Sequence, residues 1–331
     1  METHILEINE KSLKISKELI LSGQAVAFPT ETVYGLGANA FYTAAVENVF
    51  KIKGRPNDNP LIVHVHRDYD IEKLVSYIPS YAKKLAEKFL PGPLTMVYKS
   101  KGNVSNAVSC GLDTLAVRIP SHSGAQKFLK YLDLPIAAPS ANLSKHTSPV
   151  TAQHVFSDLN GKISVILDGG KSDGGIESTV LDCTGDSPVI LRSGLITREM
   201  ISSVAGGCAT YELKEGEAAR SPGMKYKHYS PDCKTMLFTF AEKDKAVEQY
   251  FKSIESGVKT YILCDNYTAG LIDCTNILNL GDTDSEIASN LYYKLREGEQ
   301  VADLIIAIAP DRSGGIMEGV MNRLVKACRN Q

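Results

Sequence analysis

The chain has 331 residues, of which 43% are hydrophobic, and a formal net charge of -2. That length exceeds one comfortable core and points to two domains, while the apolar share excludes a disordered protein. A near-neutral balance argues against a general nucleic-acid binder, which carries a strong basic excess.

Residues 9–22 read as an opening helix, closed beside Gly23. A strand over 24–28 runs into Pro29, which ends its ladder and hands the chain to Thr30, Glu31 and Thr32. Residues 29–42 read as a turn in which Tyr34, Gly35 and Gly37 exploit the freedom of glycine backbones. In a helix over 43–52, Val46, Val49 and Phe50 share one buried face. A second polar turn, Lys53 to Asn59, precedes a strand over 61–66. Ser80 opens a helix striped by Ala82, Leu85, Ala86 and Phe89, which Pro91 and Pro93 end before a strand at 94–98. Further strands are expected at 114–119, 135–138, 163–167, 178–183 and 188–192, giving an α/β fold.

From about Cys208 to Asp232 the periodicity is lost, and a polar, glycine- and proline-containing segment of that length is functional or disordered. Beyond it, strands at 235–240, 259–264, 277–280 and 303–310 alternate with helices at 242–255, 284–297 and 315–329. That alternation implies a small parallel sheet covered on both faces. The seven cysteines are scattered and form no CxxC, so neither a zinc ribbon nor a dithiol redox site is indicated. With no signal peptide in view, they fit a reducing cytoplasm. No apolar run approaches the roughly 20 residues that span a bilayer, so no membrane role is expected.

Several familiar motifs fail. Gly170, Lys171 and Ser172 resemble the end of a phosphate-binding loop, yet Val165 stands where its first glycine belongs. Ala40 breaks the dinucleotide pattern begun by Gly35 and Gly37. Neither HExxH nor Gly-x-Ser-x-Gly occurs. His64 and His66 share a strand face but lack a third ligand nearby, so packed or hydrogen-bonded histidines are the simpler reading. What survives is a group of cations, hydroxyls and amides in turns at strand ends. That is where α/β proteins place ligands, and its fixed cations suit an anion.

PTETVYGLGANA (29–40), KIKGRPNDNPLIVHV (51–65), PIAAPSAN (135–142), LDGGKSDGGIESTVLDCTGDSPVILRSG (167–194) and SPGMKYKHYSP (221–231) together closely resemble the YrdC/Sua5 family of L-threonylcarbamoyladenylate synthases. The last motif points to the two-domain Sua5 branch. The resemblance implies a twisted YrdC-like α/β domain over 1–207, an active-site lid over 208–232, and a smaller Rossmann-like α/β/α domain over 233–331. It also implies synthesis of threonylcarbamoyl-AMP and pyrophosphate from L-threonine, bicarbonate or CO2, and ATP, for the t6A modification of tRNA. Mg2+ is expected on the nucleotide, with no tightly held protein-coordinated metal. A separate threonylcarbamoyl transferase is the expected downstream partner, with tRNA bound at most weakly or indirectly.

Carried onto this chain, the family's KxR…SxN signature is Lys53, Arg55, Ser140 and Asn142, with Lys53 and Arg55 against the phosphates. Arg55, Asn59, Thr114, Ser140, Ser148, Arg192 and Tyr229 are implied at the ATP site. Thr32, His64, Arg118, Ala138 and Ser178 are implied around L-threonine, with Arg118 facing its carboxylate. Glu177 is a weaker candidate for holding a metal or orienting threonine. Lys227, where arginine is expected, and Leu143 to His146 depart from the commoner pattern, although Lys145 keeps a positive charge near the triphosphate. Two other readings compete: an RNA-binding module, given double-stranded RNA binding as a family-level property, and carbamoyl transfer for metal-centre maturation. The charge balance opposes the first, and the missing CxxC-bearing domains oppose the second.

Overall fold

The computed structural model describes residues 1–211 and 229–328. Among these, the elements begin with β1 (His4–Glu7), α1 (Glu10–Leu21), β2 (Val26–Phe28), β3 (Gly35–Asn39), α2 (Thr43–Lys53) and β4 (Ile62–His64). There follow α3 (Ser80–Phe89), β5 (Leu94–Lys99), α4 (Asn106–Ser109), β6 (Thr114–Arg118), α5 (Ser123–Leu132), β7 (Ile136–Ala138), α6 (Ala152–Leu159) and β8 (Val165–Asp168). The first sheet closes with β9 (Thr179–Asp182), β10 (Val189–Arg192), α7 (Arg198–Ala205) and β11 (Ala209–Thr210). A second run holds β12 (Lys234–Phe238), α8 (Lys243–Glu255), β13 (Thr260–Cys264), α9 (Asn266–Ala269), β14 (Ile277–Asn279), α10 (Asp284–Val301), β15 (Leu304–Ile308) and α11 (Ile316–Ala327).

Eleven strands form one mixed sheet in the order β1-β8-β2-β3-β7-β4-β6-β5-β9-β10-β11, and four form a second in the order β12-β15-β13-β14. Every pairing in the second sheet is parallel. Its strands are apolar on both faces because helices cover both. Ile262, Ile306 and Ile308 pack with Ala246 and Tyr250 of α8. Leu263, Ile305 and Ala307 pack with Leu291 and Leu295 of α10 and Val320 and Leu324 of α11. The parallel, doubly covered sheet expected from the alternating pattern is thus present.

Helix limits follow their caps. Asn9 accepts from the Ser12 amide, and Ser12 returns a bond to the Asn9 amide, starting α1. Gly54 ends α2 in the left-handed conformation at φ 61°, a backbone state glycine adopts without cost. That cap turns the chain sharply between Lys53 and Arg55.

Three expectations need correction. Gly35 and Gly37 lie in strand β3 rather than in a turn, paired with Phe28 and Val26. Glycine is required there by space: a Cβ on Gly37 would lie 2.6 Å from Ile136 Cγ2. The edge strand β1 pairs with β8 and was not anticipated, because alternating polar residues on an exposed edge carry little apolar signal. Regular structure also continues past Cys208, where Ala209 and Thr210 pair with Val189 and Ile190. The expected lid falls mainly on 212–228, outside the described residues, and with it Lys227.

The two sheets meet through one apolar cluster. Val33, Val150 and Ile176 from the first region pack with Ile287, Leu291, Val320 and Leu324 from helices α10 and α11. Beside it, Arg296 on α10 clamps Asp158 on α6 with two bonds of 2.7 and 2.8 Å. Both side chains are about 5% exposed, so each depends on the other for solvation. No helix among the described residues is long and apolar enough to cross a membrane.

Candidate active site

The parallel strands β4 and β6 are in register, so His64 and Arg118 stand side by side at their carboxyl ends. The Thr30 hydroxyl donates to the Val33 carbonyl at 2.6 Å and accepts from the Thr32 amide, which folds the segment after Pro29 into a tight turn. That turn aims the Thr32 hydroxyl at Arg118, whose Nη1 donates to it at 2.8 Å. Arg118 Nε donates to the Gly92 carbonyl, and Nη2 lies 2.8 Å from Glu31 Oε1. The last contact is a charge pairing without hydrogen-bond alignment, since Nη2 and both Glu31 oxygens are buried with no aligned partner. A guanidinium held on three sides with donors unused is preorganised for a carboxylate.

His64 completes this end. Its Nδ1 donates to the Ile62 carbonyl at 3.1 Å, which leaves Nε2 as an acceptor. Burial, aided by the charge of Arg118, lowers its pKa to about 3. Across the cavity, Arg192 closes β10 and donates through Nε and Nη2 to the Ser178 carbonyl at 3.1 and 2.9 Å. The Ser178 hydroxyl sits 2.7 Å from that of Thr95.

A second group lies beside the first. Asn142 Nδ2 donates to the Leu143 and His146 carbonyls, and the Ser140 hydroxyl donates to Asn142 Oδ1, so residues 140–146 form a rigid turn. Arg55 Nη2 donates to the Asn59 carbonyl at 3.0 Å, while its Nε has no partner among the described residues. Burial lowers the Arg55 pKa to about 10, so it stays a cation at neutral pH.

Thr32, Arg55, His64, Arg118, Ala138, Ser140, Asn142, Ser148, Ser178, Arg192 and Tyr229 line one cavity of about 650 Å3, including its open mouth. Three candidates do not border it. Lys53, expected against phosphates, is buried behind the turn. Its ammonium donates to the Ser140 and Asn142 carbonyls, both at 2.5 Å, and to Asn142 Oδ1 at 3.3 Å. Burial, with Arg55 next, holds its pKa well below the ordinary lysine value. Thr114 opens β6, four residues from Arg118 and therefore about 13 Å along the strand. Asn59 lies behind Arg55, fully buried, with both amide atoms unpartnered among the described residues.

Glu31 and His146 join the site without having been singled out for it. Glu31 had one signal, a carboxylate between the two threonines of PTET. Glu177 borders the cavity, with Arg323, Tyr292 and Ser148 bonded to its oxygens. Burial alone would raise this carboxyl, but Arg323, Arg192 and the Ser148 hydroxyl hold it down to about 2. His66 turns away from the cavity to Asp133. Among the described residues, no group of three or more His, Cys, Asp or Glu side chains is placed to hold a metal ion.

These values set the acid response. Unfolding lets His64 return from about 3 to its ordinary 6.5, so the unfolded chain binds a proton that the native one refuses. Stability from this group is complete above about pH 6.5 and is lost towards pH 3. Glu177, depressed from 4.5 to about 2, contributes stability above about pH 4.5 that is lost as pH falls through 2. Urea midpoints are therefore expected to fall from pH 6.5 downward and more steeply below pH 4.5. His64→Gln should flatten the upper limb, and an NMR titration of His64 centred near 6.5 would contradict the assignment.

Two families match the chain: one, Sua5/YciO/YrdC, is described as telomere recombination and covers residues 18–194. The other, described as threonylcarbamoyl-AMP synthase, C-terminal domain, covers residues 196–328. A threonylcarbamoyl-AMP synthase of Pyrococcus abyssi is 42% identical over 327 residues, spanning 97% of this chain and 95% of that protein. One from Bacillus subtilis is 40% identical over 333 residues, spanning 98% and 95%. The crystal structure of P. abyssi Sua5 complexed with L-threonine superposes with a TM-score of 0.91 at 41% identity, covering 98% of this chain and 97% of that one. Escherichia coli YciO, at 20% identity and a TM-score of 0.52 over 58% of this chain, shares the fold of part of it.

Proposed function

The chain belongs to the Sua5/YrdC family of threonylcarbamoyl-AMP synthases, and we propose that its cavity joins L-threonine, bicarbonate or CO2, and ATP into L-threonylcarbamoyl-AMP and pyrophosphate. The observation that carries this reading is the convergence of three guanidiniums, from Arg55, Arg118 and Arg192, on one hollow.

Arg118 takes the amino acid's carboxylate through its unused donors, backed by Thr32. His64 presents a neutral Nε2 acceptor, Ser178 a hydroxyl, and the backbone near Ala138 a wall. Arg55 and Arg192 face the phosphates, with Ser140, Ser148 and Tyr229 around the nucleotide. Lys53 acts from behind by holding the Ser140–Asn142 turn, and Asn59 by supporting Arg55. Thr114 contacts ATP only if the nucleotide extends along β6.

The threonine amine and bicarbonate or CO2 give a carbamate, whose oxygen attacks the α-phosphorus as pyrophosphate leaves. Carbamate and triphosphate repel one another, so the main task is charge neutralisation and alignment. The cavity offers cations and hydroxyls for that task and needs no acid–base pair. Mg2+ arrives with ATP as part of the substrate and is held mainly by phosphate and water oxygens. The activated threonylcarbamoyl group then passes to a separate transferase for the t6A modification of tRNA, so this chain has no need to grip tRNA.

Mixing the protein with ATP, Mg2+ and bicarbonate is expected to release pyrophosphate only when L-threonine is added. Folded protein giving no threonine-dependent release would overturn the reading.

A further inference from the structure

We propose that Arg323 on α11 and Tyr292 on α10 are positioning residues for the nucleotide half of the active site, acting through Glu177; this rests on the functional reading above. Neither side chain borders the cavity. Both belong to helices of the smaller sheet, which thereby takes an indirect part in catalysis beyond packing.

Glu177 is the hub. Arg323 Nε donates to its Oε2 at 3.1 Å, and the Tyr292 hydroxyl reaches the same oxygen at 3.0 Å. The other oxygen, Oε1, accepts from the Ser148 hydroxyl at 2.7 Å. Ser148 borders the cavity, and Ser178 follows Glu177 directly in the chain. Arg323 also donates through Nη1 to the Ser193 carbonyl at 2.5 Å. Ser193 is the residue after Arg192, so one guanidinium ties together the two segments that carry Ser178 and Arg192. Those two residues are in turn bonded to each other.

The helix is seated closely enough to transmit position. A Cβ on Gly319 of α11 would lie 3.2 Å from the Gly194 Cα. Tyr292 meanwhile stacks on Tyr229, another cavity residue, with centroids 5.3 Å apart and planes at 28°. The ionic link is not required merely to join the two regions, because a well-packed apolar pair stabilises such a contact as well or better. What it adds is direction: an acceptor aimed at Ser148 and a donor aimed at the Arg192 segment. Side-chain networks of this kind fix the geometry on which alignment-based catalysis depends.

Steady-state kinetics on the full chain, with melting midpoints measured in parallel, test the proposal. Arg323→Ala is expected to lower kcat/KM for ATP by at least about tenfold, with a smaller rise in the L-threonine KM because Ser178 at the amino-acid end shares the tether. Arg323→Lys, which keeps the charge but not the fork, should recover part of that loss. Should Arg323→Ala fail to fold, Tyr292→Phe decides, since it removes only the hydroxyl and keeps the ring on Tyr229. It is expected to cost about threefold to fivefold in kcat/KM for ATP at a nearly unchanged melting midpoint. Variants that melt earlier but keep wild-type kinetic constants, or that affect both substrates equally, would overturn the positioning role. An inactive wild type would instead overturn the functional reading on which the role rests.

Discussion

Replacing Arg118 with lysine is expected to raise the KM for L-threonine at least about 30-fold while changing that for ATP less than about threefold. The guanidinium is only 4% exposed and its position is over-determined by the Gly92 carbonyl, the Thr32 hydroxyl and Glu31. A lysine ammonium keeps the charge but cannot meet those three partners and present two parallel donors to a carboxylate. Thirty-fold corresponds to about 2 kcal/mol, the order of one charge-assisted hydrogen bond. Alanine is the poorer probe at this position. It would leave Glu31 buried without its cation, a change that costs about 3–5 kcal/mol in stability and confuses folding with binding. An Arg118→Lys enzyme impaired for ATP alone would show that the amino-acid and nucleotide ends of the cavity have been exchanged.

Lys53→Ala is expected to cost about 3 kcal/mol of stability and at least about 100-fold in kcat/KM for ATP. Three buried oxygens, the Ser140 and Asn142 carbonyls and Asn142 Oδ1, converge on its ammonium. Removing the ammonium leaves those acceptors unsatisfied beneath the turn that carries Ser140 and Asn142. Arginine should not rescue, because a planar fork does not fit a site built for a compact tetrahedral group. Denaturant unfolding and ATP kinetics on the same samples check both halves. A variant of unchanged stability with only a raised KM for ATP would instead put Lys53 on the phosphates, the role first expected for it.

That difference over Lys53 illustrates how much could be read from residues alone. Apolar runs located the interior strands of both sheets except β3, because a strand covered on two faces must be apolar throughout, whereas the glycines of β3 read as a turn. The edge strand β1 escaped, having no covered face to announce it. Gly37 is special not for a turn but for space, since Ile136 and Phe28 leave no room for a side chain, while Gly35 is only tightly packed on Phe28 and both have an ordinary strand backbone. Within the site, motif resemblance identified residues that line the cavity, but it could not separate those facing the hollow from those bracing it. Lys53 and Arg55 sit two positions apart around a left-handed glycine, and only the sharp turn there sends one inward and the other to the cavity.

The least legible feature was the partner of Glu177. Arg323 lies 146 residues further along the chain, on a helix whose local pattern reads as an ordinary amphipathic surface helix. Nothing in spacing or periodicity links such positions, because the contact exists only after two sheets have docked. Arg296 and Asp158 pose the same problem across 138 residues. Long-range ionic contacts of this sort are dictated by tertiary geometry, which local sequence does not encode.

A structure of the protein with L-threonine and a non-hydrolysable ATP analogue bound together tests the central claim most directly. The amino acid's carboxylate should lie on Arg118, the phosphates between Arg55 and Arg192, and the threonine amine on the side of the α-phosphorus. Ligands occupying separate surfaces, or phosphates seated on Arg118, would contradict the account.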